Sequence, residues 1–363
     1  MPKRIPAVLA VSIATVLTCT GCDRADDSLR RLVPDAAPAS DPSAATDAVR
    51  TNLSATPEAT SLGGEPLYPL VLDPEEEARL HLRIDSMEAA HDARPDDRET
   101  LIWLGRYYGY AGHFRDAIDV FTEGIREHPD DPRLYRHRGH RHITVRELGR
   151  AVEDLEHAAR LTSGHEDRVE PDGMPNPYGV PRSTLQTNIW YHLGLARYLQ
   201  HDFARAAHAF RRGYEISPND DMRVAMADWL WLALMRLERD REAGALLDEV
   251  SADMEILEND AYLQRLLVYK GQLPPDSLLP DGAGADPLTV ATHGYGLGAW
   301  HLVRGNEARA REVFRRVIGT GYWPAFGYIA AEAELAAMDS RGPPGGSRGL
   351  KISDPAPVDS LRR

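Results

Sequence analysis

The chain has 363 residues, of which 42% are apolar and 27% charged, and it carries a formal net charge of −14. That apolar content supports a sizeable core in one or two domains, while the acidic balance excludes general nucleic-acid binding, which needs a broad basic footprint. Cys19 and Cys22 are the only cysteines, so nothing folded after them forms a disulfide or a thiolate metal site.

In chain order, residues 1–22 (MPKRIPAVLAVSIATVLTCTGC) read as a signal peptide: Lys3 and Arg4 precede an apolar run too short to span a bilayer comfortably. The closing Thr-Gly-Cys resembles a bacterial lipobox, atypical because Cys19 stands where Leu is usual. That resemblance implies lipidation at Cys22 and an exported, envelope-anchored protein, facing the periplasm where there are two membranes and touching the membrane through its anchor alone. Ordinary secretion and an uncleaved anchor are the alternatives. Residues 23–66, rich in Asp, Ala, Pro, Ser and Thr, are expected to be a disordered linker; as a flexible coil it would reach roughly 35–40 Å. Within 67–97 an N-terminal capping helix is expected, with Asp73 as cap, Pro74 at the first helical position and acids in the first turn.

Beyond this lies a repeat. LIWLGRYYGYAGHFRDAIDVFTEGIREHPDD (101–131) and NIWYHLGLARYLQHDFARAAHAFRRGYEISPND (188–220) share Leu-Gly, aromatic, Phe, Ala, Phe, Gly and Pro in the same order. The pattern resembles the tetratricopeptide repeat, a 34-residue helix–turn–helix unit. Its packing alanine recurs as Ala117, Ala151, Ala206, Ala243 and Ala310, at intervals of 34, 55, 37 and 67 residues. The resemblance implies an all-α fold, a right-handed α-solenoid or superhelix of repeat units with capping helices at both ends. The array is expected over 98–324, with units near 98–131, 132–163, 187–220 and 224–256, a degenerate one at 257–290 and a last at 291–324. A loop is inserted at 164–186, a C-terminal capping helix is expected at 325–339, and a disordered tail at 340–363. Gly105, Gly139, Gly194 and Gly298 are the small residues that let paired helices touch. Phe121, Phe210 and Phe314 fill the gaps between them.

The decade LYRHRGHRHI (134–143) falls on the first helix of unit two. Side chains advance about 100° per residue, so Arg136, His140 and Arg133 form one stripe, His137 lies near 100° from Arg136, and His142 lies on the far side. Three histidines of one helix therefore cannot share a metal ion, and no metal site or other cofactor is assigned. The resemblance places Arg133, Arg136 and His140 along the concave groove, with Arg106 and Tyr110 from unit one. Asn188, Tyr191 and Tyr198 follow from unit three, Asp228 and Arg236 from unit four and Tyr295 from the last unit. This locally basic, aromatic groove suits a protein or peptide partner with an anionic segment, since arginine offers paired donors to carboxylate; a merely solvated charged face is the alternative. Arg138 stands where the repeat places Leu and needs an acid. The four-proline insert supplies candidates, so Glu170 or Asp172 is expected to pair with Arg138 or His142 and dock the loop. The expected function is a non-enzymatic scaffold or adaptor, with no catalytic residue assigned. A metal- or His/carboxylate-dependent hydrolase, with a site between unit two and the 164–186 loop that uses His137 or His140 and acids of the insert, is the alternative, and architecture by self-association is a third. The oligomeric state is left open.

Overall fold

The computed structural model describes residues 51–52, 55–172, 176–279 and 286–341. The described residues all belong to one compact unit. The signal peptide with Cys22, the linker through residue 50 and the tail from 342 lie outside the described residues.

The described residues form thirteen α-helices and one two-stranded hairpin, an all-α solenoid of stacked antiparallel helix pairs. Helix α1 (Pro74–Ala93) precedes the array, and the Asp73 carboxylate accepts from the Glu75 and Glu76 amides at its start. The pairs are α2 (Arg98–Tyr110) with α3 (Phe114–Glu127), and α4 (Pro132–Thr144) with α5 (Leu148–Leu161). Then come α6 (Leu185–Leu199) with α7 (Phe203–Ile216), and α8 (Asp220–Arg236) with α9 (Asp240–Asp248). In the degenerate unit, α10 (Asp260–Tyr269) is followed only by a 3-10 turn at Pro275–Ser277, where prolines forbid a second helix. The last pair is α11 (Pro287–Val303) with α12 (Glu307–Ile318), and α13 (Phe326–Arg341) closes the set.

The repeat signature has a packing cause. A Cβ built on Gly105, Gly194 or Gly298 would lie 2.5, 2.6 or 2.4 Å from Phe121, Phe210 or Phe314 of the paired helix. Each phenylalanine thus fills the space that its glycine vacates, and side chains interlock at the density of a protein interior. In unit four Trp231 takes the glycine's place; it is buried and stacks on Tyr269 of α10 at 4.1 Å, and its partner helix α9 has only nine residues.

Two expectations are corrected. Residues 55–66, assigned to the disordered linker, fold into an arm: β1 (Ala59–Thr60) pairs antiparallel with β2 (Pro66–Leu67), and Ala59 and Leu67 join the core. The Arg115 amide and guanidinium donate to Glu58, and the Trp323 indole donates to the Tyr68 carbonyl. The composition of the linker hid this, because two buried side chains and three polar contacts suffice to order so short a segment. Helix α13 is likewise no polar outer cap. Ile329, Ala331 and Met338 are fully enclosed, and Glu332 and Glu334 are spent on Arg146 and Arg236.

Candidate functional site

The groove expected along the whole array is closed in its C-terminal half. Asp228 meets Arg265 at 2.6 Å with neither side chain more than 1% exposed. The Tyr191 hydroxyl lies 2.7 Å from that of Tyr262 and accepts from the Trp229 indole at 3.1 Å. The Tyr295 hydroxyl donates to Tyr198 at 3.0 Å, deep in the core. Arg236 donates to Glu334 of α13 and lies 4.3 Å over the Phe203 ring. Polar groups so enclosed must find partners inside the protein, and here they find one another. Tyr191, Tyr198, Asp228, Arg236 and Tyr295 are therefore interior struts rather than groove residues. Arg133 is a strut as well: it donates to Asp131 at 2.7 Å and to Glu99 at 2.6 Å, tying the start of α4 to α2.

The N-terminal half is different. On α2, Arg106 lies 4.3 Å over Trp103, donates to the Tyr110 hydroxyl at 3.1 Å and reaches the Pro171 carbonyl at 2.8 Å. On α4, Arg136 is buried; its Nη1 donates to His137 Nδ1 at 2.8 Å and its Nε lies 3.2 Å from Glu170. Asn188 of α6 donates to the same Glu170 carboxylate at 2.9 Å, and His137 Nε2 stands 3.5 Å from it. Beside them the His140 ring packs 4.4 Å from His192 and 5.2 Å from Phe326 of α13. Arg141, which the sequence did not single out, lies across α2: its Nη2 is 2.9 Å from His140, and a Cβ on Gly109 would strike its Nη1 at 2.8 Å. A glycine at 109 is what gives this guanidinium its passage.

Charge in this cluster is unbalanced. Among the described residues neither Arg106 nor Arg141 has a carboxylate within 4.0 Å. Burial, with Arg136 and Arg106 nearby, brings the Arg141 guanidinium down to about 10. Burial, aided by the same arginines, holds His137, His140 and His192 well below the ordinary imidazole range, so all three are neutral at pH 7. Asp172 has a buried oxygen with no hydrogen-bond donor, and burial raises its carboxyl. Among the described residues Glu170 is the carboxylate that meets Arg136 and His137, and Asp172 lies near enough to Arg106 for that charge to oppose the rise.

Loop docking is therefore real but its expected partners change. Arg138 is held by Asp154 of α5 (2.8 and 2.7 Å) and donates to Thr122. His142 Nδ1 lies 2.9 Å from Glu147. Both point away from the face of α4 that Glu170 approaches, some 100–200° around the helix, so neither Glu170 nor Asp172 reaches them. Glu170 pairs instead with Arg136. Among the described residues, no group of three or more His, Cys, Asp or Glu side chains is placed to hold a metal ion.

Residues 187–220, α6 and α7 with their connections, match the family model described as Tetratricopeptide repeat. The chain contains a tetratricopeptide repeat. The match takes in Asn188 of the cluster and the Gly194–Phe210 contact that recurs along the array. Solved structures resemble the chain at low identity. MamA is 17% identical, covering 55% of this chain and 89% of that one, with a TM-score of 0.38. YrrB, a TPR protein with an unusual peptide-binding site, is 14% identical over 71% of this chain and 99% of that one, with a TM-score of 0.38. A tetratricopeptide repeat protein from Parabacteroides merdae is 16% identical over 72% and 94%, with a TM-score of 0.44. No curated protein matches the sequence.

Repeat positions alone could not separate the two halves of the face. The missing signal was in α13, FGYIAAEAELAAM, whose apolar residues run all the way round. A helix of that kind is buried: α13 packs on the last pair, α11 and α12, and through Glu334 and Phe326 reaches Arg236 of α8 and His140 and His192. Phe326 and Glu334 were missed for that reason, and Arg265 and Tyr262 because α10 belongs to the degenerate unit.

Proposed function

We propose that the chain is a non-enzymatic scaffold that binds an acidic protein or peptide segment across the first helices of units one to three. The observation that carries this reading is Arg141, a half-buried guanidinium over the Phe114 ring that has no carboxylate within 4.0 Å among the described residues, next to Arg106 and Arg136. A partly desolvated cation without an anion is costly, and a ligand carboxylate would offset that cost. The half-exposed Trp103, Arg106, Tyr107 and Tyr110 lead from solvent to this point, and aromatic and arginine side chains are the usual anchors of interfaces.

The test separates binding from folding. Arg141→Met removes the unpaired charge and should leave Tm unchanged or slightly raised. A photo-crosslinking residue at position 110 should give a discrete adduct in the producing cell, reduced at least tenfold by Arg141→Met. Adducts indifferent to that change, or a Tm lowered by it, would reject the site.

The hydrolase reading draws less support. The ring nitrogens of His137 lie against Arg136 and Glu170, and those of His140 against the Arg141 guanidinium, so neither is set beside a nucleophile among the described residues. We further propose export and lipid anchoring through Cys22. No helix of the described residues is long and apolar enough to cross a membrane. Cells fed a labelled fatty acid should label the wild type and not Cys22→Ala; equal labelling discards the anchor.

A further inference from the structure

The insert between α5 and α6 raises a question of economy. The junctions on either side of this region are short, Glu127 to Pro132 and Ile216 to Asp220, whereas Leu161 and Leu185 are joined by a long proline-rich excursion. We propose that its Glu170-Pro171-Asp172 stretch is a tethered copy of the ligand: the site recognises an acidic Glu-Pro-Asp-like segment of a partner protein, which binds by displacing the chain's own copy. This rests on the binding site proposed above.

Four observations carry it. First, two consecutive insert residues are gripped by three successive first helices: Glu170 by Arg136 and His137 of α4 and Asn188 of α6, and the Pro171 carbonyl by Arg106 of α2. An extended peptide crossing a repeat array is held in the same manner, by side chain and main chain alternately. Second, the fit is incomplete. Arg136 Nε, though 3.2 Å from Glu170, makes no hydrogen bond, and Asp172 leaves a buried oxygen unsatisfied while lying near Glu258, Arg106 and Glu170 rather than against Arg141. A ligand whose second carboxylate reached Arg141 would satisfy more of the site than the insert does. Third, the main chain beside Glu170 is held by a single bridge, Val169 with Thr184, flanked by the Glu170 and Leu185 amides donating to Ser183 and Arg168, while the insert's firm anchor, Arg182 on Asp221 at 2.7 Å with its carbonyl accepting from Asn219, lies outside the stretch that would be displaced. Fourth, the insert is covered on one side only. Val169, Tyr178 and Val180 are 62%, 67% and 44% exposed, half of the large apolar side chains that the described residues show to solvent. The turn that displays the latter two is built by Asn176, whose side-chain oxygen accepts from both of their amides.

The probe is a fluorescent peptide of residues 166–173, read by anisotropy against the full chain. Wild type should bind it weakly and Glu170→Ala at least tenfold more tightly, and adding Arg136→Met to Glu170→Ala should return binding to the wild-type level or below. Excess peptide should also speed hydrogen exchange at the Glu170 and Leu185 amides of the wild type, while the amides within α4 and α6 stay protected. That second measurement decides the matter if Glu170→Ala fails to fold. Equal affinity in wild type and a folded Glu170→Ala, or exchange at the two amides unmoved by peptide, makes Glu170 a permanent strut and overturns the proposal. If the crosslink at position 110 still depends on Arg141 in that event, the binding site stands with a ligand of other chemistry; if it does not, both readings fall.

Discussion

Asp228 and Arg265 are 37 residues apart in the chain and 2.6 Å apart in the fold, enclosed by Trp229, Tyr262 and Tyr295. The carboxylate keeps the guanidinium charged against burial. Two desolvated charges of this kind add little to stability as a pair, yet removing one strands the other. Asp228→Ala should therefore cost about 3–5 kcal/mol, read as a lowered urea midpoint, with Asp228→Asn losing less; a loss under about 1 kcal/mol would mean that water reaches the site. The sequence showed Asp228 at a groove position and nothing more. Its partner sits in the degenerate unit, where repeat positions no longer say what faces what, so the pairing was not legible. Arg138 shows the opposite case. Its misfit with the repeat announced that an acid must be near, and Asp154 supplies it from the paired helix.

At the scale of elements, the junction of α4 and α6 stores a response to acid. His137 and His192 are buried, neutral and flanked by arginines, with pKa values depressed by burial first and by those charges second. The unfolded chain takes protons at these two residues below about pH 6.5, and the folded chain refuses them. Their contribution to stability is thus complete above that pH and is lost as pH falls toward the folded-state values, by up to about 1.4 kcal/mol per histidine per pH unit. Tm should fall between pH 7 and pH 5, and His192→Gln should flatten the slope; an unchanged slope would show that His192 titrates normally. Elements themselves were readable where periodicity carried them: a glycine opposite a phenylalanine fixes a helix pair without reference to anything distant. The arm and the role of α13 were not, because each is ordered by contacts more than 50 residues away in sequence, Glu58 to Arg115 and Glu332 to Arg146 among them.

For the molecule as a whole, the sequence read correctly as stacked helix pairs and misread how much of their inner face remains for a partner. Repeat arrays are commonly treated as one-dimensional, each unit held by its neighbours alone and its ends free to fray. Here the arm crosses that scheme. It fastens Glu58 to Arg115 at the first pair, and through Leu62 and Tyr68 it fastens to Glu332 and Trp323 beside the last helix, while Glu332 also grips Arg146 of the second pair. A stack belted from top to bottom has no loose end at which melting can begin. It behaves less like a spring, which lengthens coil by coil, than like a barrel whose staves stay put until the hoop gives way.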